Sequence, residues 1–180
     1  GIKMERIIDF VGLNNILRRK KQSQKVIILD SNTYDNCLAP LIGEVESLCD
    51  AQIIEIEPGD ENKTLETYTS VVQTLIEQGN DKNTQLIALG GGMITDITSF
   101  IGATYKRGID VYLVPTTLLS MVDATIGGKC GVNFGEVKNQ IGCFLKKSIV
   151  CIEPTFLSTL SERQILSGVA EMLKIALVCD

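Results

Sequence analysis

Short apolar, β-branched runs alternate along this chain with segments of helical period, and no other feature narrows the possible folds so far. Val26-Ile27-Ile28-Leu29 is a continuous apolar run closed by Asp30-Ser31-Asn32. That pattern suits a buried parallel strand with its C-terminal end open to a ligand. Ile53-Ile54-Glu55-Ile56 is a second candidate strand, ended by Pro58-Gly59-Asp60. Behind Thr64 as N-cap, Leu65, Tyr68, Val72, Leu75 and Ile76 recur at helical spacing. Residues 85–89 form a third strand, followed by Gly90-Gly91-Gly92 and a helix carrying Ile94, Ile97 and Ile101. Residues 111–114, stopped by Pro115, are a fourth strand, and residues 149–152 a short fifth. The alternation predicts an α/β fold with a mainly parallel sheet and flanking helices.

At 180 residues the chain can hold one well-cored domain and the start of another. Ser161 and Gln164 fit a capping box, and Ile165, Leu166, Val169, Met172, Leu173, Ala176 and Leu177 follow at helical spacing. We therefore expect residues 1–160 to be one α/β domain. Residues 161–180 would be the first helix of a mostly helical second domain that this chain does not contain.

The sequence has no histidine. That excludes an imidazole base, a His-activated nucleophile and an imidazole metal ligand from this stretch. A net charge of −5 offers no electrostatic footprint for nucleic acid. The apolar runs are too short to span a bilayer and no leader-like segment opens the chain, so a cytoplasmic protein is expected. The six cysteines, at 37, 49, 130, 143, 151 and 179, lack metal or small-scaffold spacing and read as small buried hydrophobes. The basic run Arg18-Arg19-Lys20-Lys21 reads as a solvated helix end.

Gly90-Gly91-Gly92 lies between a strand and a helix, with Asp96 four residues on. Glycine there permits close backbone approach, and the helix N-terminus offers free N–H groups to a pyrophosphate; a tight turn needing positive φ is the bland alternative. From Gly90 onward the chain reads GGGMITD, ATYKRG, VPTTLLSMVDATIGGKCGVN, KNQIGCF, FLSTL and SGVAEMLK. This series resembles the 3-dehydroquinate synthase family across the second half of the chain. The first half matches more loosely, at the strand ending in Asp30 and at the segment from Pro58 to Lys63.

The resemblance implies a Rossmann-like NAD-binding domain followed by a helical metal-binding domain, with the active site between them. It implies an anionic sugar-acid phosphate substrate, NAD, a divalent metal (zinc or cobalt) and a homodimer. By the same resemblance Asp30 and Asn32 lie at the adenosine end, and Asp60 and Lys63 at a ribose. Gly91, Gly92, Met93 and Asp96 would serve the pyrophosphate and neighbouring ribose, with Thr116 and Thr117 nearby. Phe156 and Thr159 would pack against the cofactor, and Lys138 would reach it. Asp123, Lys129, Asn139, Lys174 and Arg107 match substrate contacts, Arg107 serving the neighbouring subunit and Lys129 touching both ligands. Glu171 matches a metal ligand whose two histidine companions belong to the second domain. On spacing alone, Glu171 and Lys174 read as a surface pair three residues apart on one helix face, and it is the SGVAEMLK match that favours the site. Other sugar phosphate cyclases, iron-dependent alcohol dehydrogenases and a non-catalytic NAD-binding module remain as alternatives. The chain by itself is expected to bind NAD weakly and to turn over no substrate.

Overall fold

The computed structural model describes residues 7–126, 129–134, 136–144 and 148–157. Six parallel strands form the central sheet: β1 (Ile7–Ile8), β2 (Lys25–Asp30), β3 (Gln52–Ile56), β4 (Gln85–Gly90), β5 (Asp110–Pro115) and β8 (Ser148–Cys151). Their order across the sheet is β1-β8-β5-β4-β2-β3. A separate antiparallel hairpin is made by β6 (Lys129–Phe134) and β7 (Val137–Phe144). The helices are α1 (Phe10–Arg18), α2 (Ser31–Asn36), α3 (Leu38–Glu44), α4 (Leu65–Glu77), α5 (Gly92–Thr104) and α6 (Leu118–Ile126).

The strands with continuous apolar sequence are the ones covered on both faces, as a strand between two helical layers must be. On one face Val26, Ile28, Leu86 and Ala88 pack with Val71 and Leu75 of α4 and Ile94, Ile97 and Ile101 of α5. On the other, Ile27, Leu29, Ile87 and Leu89 pack with Leu13 and Leu17 of α1 and Leu38 and Leu41 of α3. Adjacent residues of one strand thus serve opposite cores, the period-2 alternation of β structure.

Several sequence expectations change in detail. Pro115, expected to stop the strand after residue 114, is itself the last residue of β5, its Cα in register with Gly90 of β4. Lys129 opens β6. Cys37 and Cys151 are buried as expected, but Cys49 is exposed. The basic run is not wholly solvated: Leu17 before it is fully buried, and Lys20 Nζ lies 3.2 Å from Asp110 Oδ2. The expected helix over residues 161–180 lies outside the described residues.

Gly102, near the end of α5, sits where the helix crosses β5, and a Cβ there would run into the Val111 side chain. Replacing a helical glycine by alanine ordinarily stabilises by about 1 kcal/mol, whereas overpacking costs about 1–3 kcal/mol. The clash should win. Gly102→Ala is expected to lower the melting temperature, and Val111→Ala added to it should recover part of the loss; a gain in stability from Gly102→Ala alone would contradict this packing.

Candidate functional site

The sheet order places a switch point at the C-terminal ends of β2 and β4. From β2 the chain moves outward to β3 through α2 and α3, and from β4 it moves the opposite way to β5 through α5. Neighbouring strands whose connections diverge open a crevice at their carboxyl ends, which is where such sheets bind ligands.

Gly90, Gly91 and Gly92 form one wall of this crevice. A Cβ on Gly90 would lie 2.7 Å from Ile94, so the turn closes onto its own helix only with glycine. At Gly91 a Cβ would come 3.5 Å from Thr117 Cγ2, and at Gly92 it would meet nothing within 4 Å. Gly91 is the N-cap of α5 and supplies no side-chain cap. The first-turn N–H groups of a 13-residue helix therefore point into the crevice end with a positive dipole, the physical requirement for a pyrophosphate. Thr116 N donates to Gly90 O at 3.0 Å, tying the start of the next loop to this turn. Thr117 then caps α6 reciprocally with Ser120: Ser120 N donates to Thr117 Oγ1 and Thr117 N to Ser120 Oγ, both at 3.2 Å.

The opposite wall comes from the loop between β3 and α4. Gly59 (φ 117°) lets the chain turn after Pro58, a short 3-10 turn spans Asp60–Asn62, and Thr64 caps α4 by accepting from Thr67 N. This path buries Lys63, whose side chain is 5% exposed, with its ammonium 3.0 Å from Asp96 Oδ2 and 3.9 Å from Asp60 Oδ1. Lys138 of β7 adds a second cation, 3.5 Å from Asp60 Oδ2. Burial raises the pKa of Asp96 above its ordinary value; nearby Asp123 and Asp60 reinforce the shift, while the hydrogen bond and charge of Lys63 oppose it.

Asp60, Lys63, Asp96 and Lys138, far apart in sequence, thus meet as one charged cluster beside the start of α5, and the field of Asp123 reaches Asp96 from α6. Met93 is half-buried against the core at the same helix start. Asp30 ends β2 at the crevice and accepts from Thr33 N through Oδ1 at 3.0 Å, capping α2; Asn32 is exposed one turn on. Phe156 is not part of this group: its ring packs edge-on against Phe10, centroids 5.8 Å apart. Arg107 is also elsewhere. It precedes β5, at the end of the sheet opposite the crevice, in a turn where Lys106 and Arg107 both have positive φ. Lys129 and Asn139 lie in β6 and β7, their side chains outside the description. Thr159, Glu171 and Lys174 fall outside the described residues. Among the described residues no group of three His, Cys, Asp or Glu side chains is placed to hold a metal, and no helix is long and apolar enough to cross a membrane.

One residue of the cluster is absent from the sequence-based reading. Asn133 of β6 is 7% exposed and donates from Nδ2 to Asp60 O at 3.1 Å. The alternation Val132-Asn133-Phe134 before Gly135-Glu136-Val137 is a hairpin signal that could have placed it.

The raised pKa of Asp96 carries a definite sign. Its protonated form is favoured in the folded chain, so its contribution to stability is full below the ordinary value of 3.8 and declines as pH rises through the raised value. Asp96→Asn has no such decline. Its melting temperature relative to the unmodified chain should therefore increase as pH goes from about 3 to about 7; a relative gain that shrinks with rising pH would contradict the burial of Asp96.

Comparison with known proteins bears on the same residues. A family model described as 3-dehydroquinate synthase N-terminal matches residues 53–167. The chain is 42% identical over 166 residues to 3-dehydroquinate synthase of Parabacteroides distasonis, covering 92% of this chain and 47% of that protein. It is 47% identical over 129 residues to the synthase of a Sulfurovum species, covering 72% and 37%. The chain thus spans about half the length of the curated relatives it matches. Among solved structures it resembles 2-deoxy-scyllo-inosose synthase complexed with carbaglucose-6-phosphate, NAD+ and Co2+, with TM-score 0.78 and 26% identity over 91% of this chain and 45% of that one. It also resembles 2-epi-5-epi-valiolone synthase of Streptomyces hygroscopicus with NAD+ and Zn2+ bound, with TM-score 0.73 and 30% identity over 94% and 48%. An iron-containing alcohol dehydrogenase of Thermotoga maritima shares the fold alone, at TM-score 0.65 and 13% identity. Matched by the family model over more than half its length, the chain belongs to the 3-dehydroquinate synthase N-terminal family.

Proposed function

We propose that this chain is the NAD-binding part of a 3-dehydroquinate synthase, which converts 3-deoxy-D-arabino-heptulosonate 7-phosphate to 3-dehydroquinate and phosphate. The observation that carries the reading is the Asp60–Lys63–Asp96–Lys138 cluster beside the uncapped start of α5. NAD bound there supplies a hydride acceptor that is regenerated within each turnover. The N–H groups at the start of α5, from Gly92 and Met93, bind its pyrophosphate, with Gly91 leaving room for close approach. Asp60 and Lys63 orient a ribose, Asp96 the neighbouring one, and the hydroxyls of Thr116 and Thr117 lie along the same wall. Asp30 and Asn32 serve the adenosine end, and the segment holding Phe156 and Thr159 would border the cofactor through atoms other than the Phe156 ring, which packs on Phe10. The relatives solved with NAD+ bound support this assignment.

Lys129, Lys138 and Asn139 share the hairpin, and their cationic and amide groups would hold an anionic sugar-acid phosphate. Asp123 accepts from its hydroxyls, and Lys174 adds a further cation. Arg107 lies the length of β5 away, about 20 Å for six residues at strand spacing. A homodimer in which Arg107 serves the neighbouring copy fits that position. A divalent metal does not fit the donors at hand: the chain has no histidine, and Glu171 alone cannot complete a site that needs three protein ligands. Its remaining ligands would come from a helical second domain beginning near residue 161. A cytoplasmic location accords with this chemistry. Identity of 42–47% to curated synthases, against 26–30% to the two other cyclases, favours 3-dehydroquinate as the product.

The test is phosphate release and 3-dehydroquinate formation by the protein as naturally encoded, with NAD+ and no net NADH. Failure of that reaction with an active reading of another cyclase substrate would redirect the assignment. In the same protein Lys129→Ala should lower turnover roughly a hundredfold, as loss of one preorganised polar contact does, with little change in melting temperature. A collapsed melting temperature with normal activity of the folded fraction would make Lys129 structural.

A further inference from the structure

The β6–β7 hairpin reaches the cluster through Lys138 and through Asn133, and at Asn133 its geometry is irregular. Along the hairpin Cys130 pairs with Cys143, Gly131 with Gly142 and Val132 with Ile141, but the register shifts between Val132 and Phe134, which pairs with Val137. Asn133 falls at that shift. A bulge releases a residue from its own ladder and re-aims it, and bulges recur beside active sites for that reason. Released in this way, Asn133 bonds to the loop after β3 instead. Its backbone N–H donates to Lys63 O at 2.7 Å, and it forms an isolated parallel bridge with Thr64. Its side-chain amide donates to Asp60 O at 3.1 Å and lies 3.4 Å from Asp60 Oδ2.

Asp60 is pulled in two directions. Lys63 stands 3.9 Å from its Oδ1 and Lys138 stands 3.5 Å from its Oδ2, the latter on a side chain that is 74% exposed. The Lys138 pair is a weak surface ion pair, and buried Lys63 makes its closer contact, 3.0 Å, with Asp96, so neither cation by itself sets the Asp60 carboxylate. A directed amide donor on a buried residue fixes both the loop carbonyl and the carboxylate plane.

We propose that Asn133 is a positioning residue, holding the Asp60 carboxylate in the orientation that accepts from the ribose hydroxyls of a dinucleotide. The proposal rests on the NAD-binding reading above. Asn133 acts through Asp60, and through the same bonds it ties the hairpin carrying Lys129, Lys138 and Asn139 to the cofactor loop.

The test is a double-mutant cycle on NAD+ affinity, measured by calorimetry on the protein as naturally encoded, with Asn133→Ala, Asp60→Ala and the pair. Asn133→Ala is expected to weaken binding about fivefold, the loss of one net hydrogen bond. In the Asp60→Ala background the same change should cost less than about twofold, because the group it positions is gone. Equal losses in both backgrounds would show a general loosening of the hairpin and overturn the proposal, as would unchanged affinity of Asn133→Ala. If Asn133→Ala does not fold by thermal melt, Asn133→Ser, which keeps a small hydroxyl donor, is carried through the same cycle with the same criterion. Absence of NAD+ binding by the unmodified protein would instead remove the reading on which the proposal stands.

Discussion

The buried ammonium of Lys63 is the interaction on which the candidate site depends. A lysine ammonium held at 5% exposure is costly to desolvate, and the carboxylates of Asp96 and Asp60 beside it offset that cost. Meeting that requirement draws three separate segments together: the loop after β3 that carries Lys63 and Asp60, the first turns of α5 that carry Asp96, and the hairpin that binds Asp60 through Lys138 and Asn133. The same contacts tie both walls of the crevice and the hairpin to one another. Structure and candidate function are therefore not separable at this point, and a change at Lys63 would disturb both.

The sheet makes this arrangement possible. Parallel strands deliver their C-terminal ends to one edge, and the connections leaving β2 and β4 diverge there, the arrangement that opens a crevice. Gly90 lets β4 turn directly into α5 without a clash at Ile94, so the helix dipole starts at the crevice rather than a few residues away. The opposite end of the sheet is closed by ordinary polar bonds, such as Tyr112 Oη donating to Gln85 Oε1 at 2.6 Å and Tyr105 Oη to Asn80 O at 2.7 Å. Those buried groups have protein partners, which suits a structural role.

Much of the fold was legible in the sequence because buried parallel strands must be apolar on both faces. The five strands read from apolar runs all exist, each with its ends shifted by about a residue. β1 was not readable, since Ile7 and Ile8 alone carry no period. The hairpin is less legible, because Gly131 and Gly142 interrupt the alternation of its strands. Local rules predicted the Thr64 cap and the glycine turn well, because both depend on neighbours in sequence. The meeting of Lys63 with Asp96, 33 residues on, is a product of topology and could be expected only through the family resemblance. Asn133 escaped for a related reason: a bulge converts an ordinary strand position into a cross-loop contact, and bulges leave little trace in residue type.

The most direct measurement is amide hydrogen exchange on the protein as naturally encoded, with and without NAD+. If the crevice between β2 and β4 holds the dinucleotide, NAD+ should slow exchange at Gly92 and Met93, whose N–H groups have no helical acceptor, and across Asp60 to Thr64. Protection confined to other segments, or none at the start of α5 under saturating NAD+, would contradict the account.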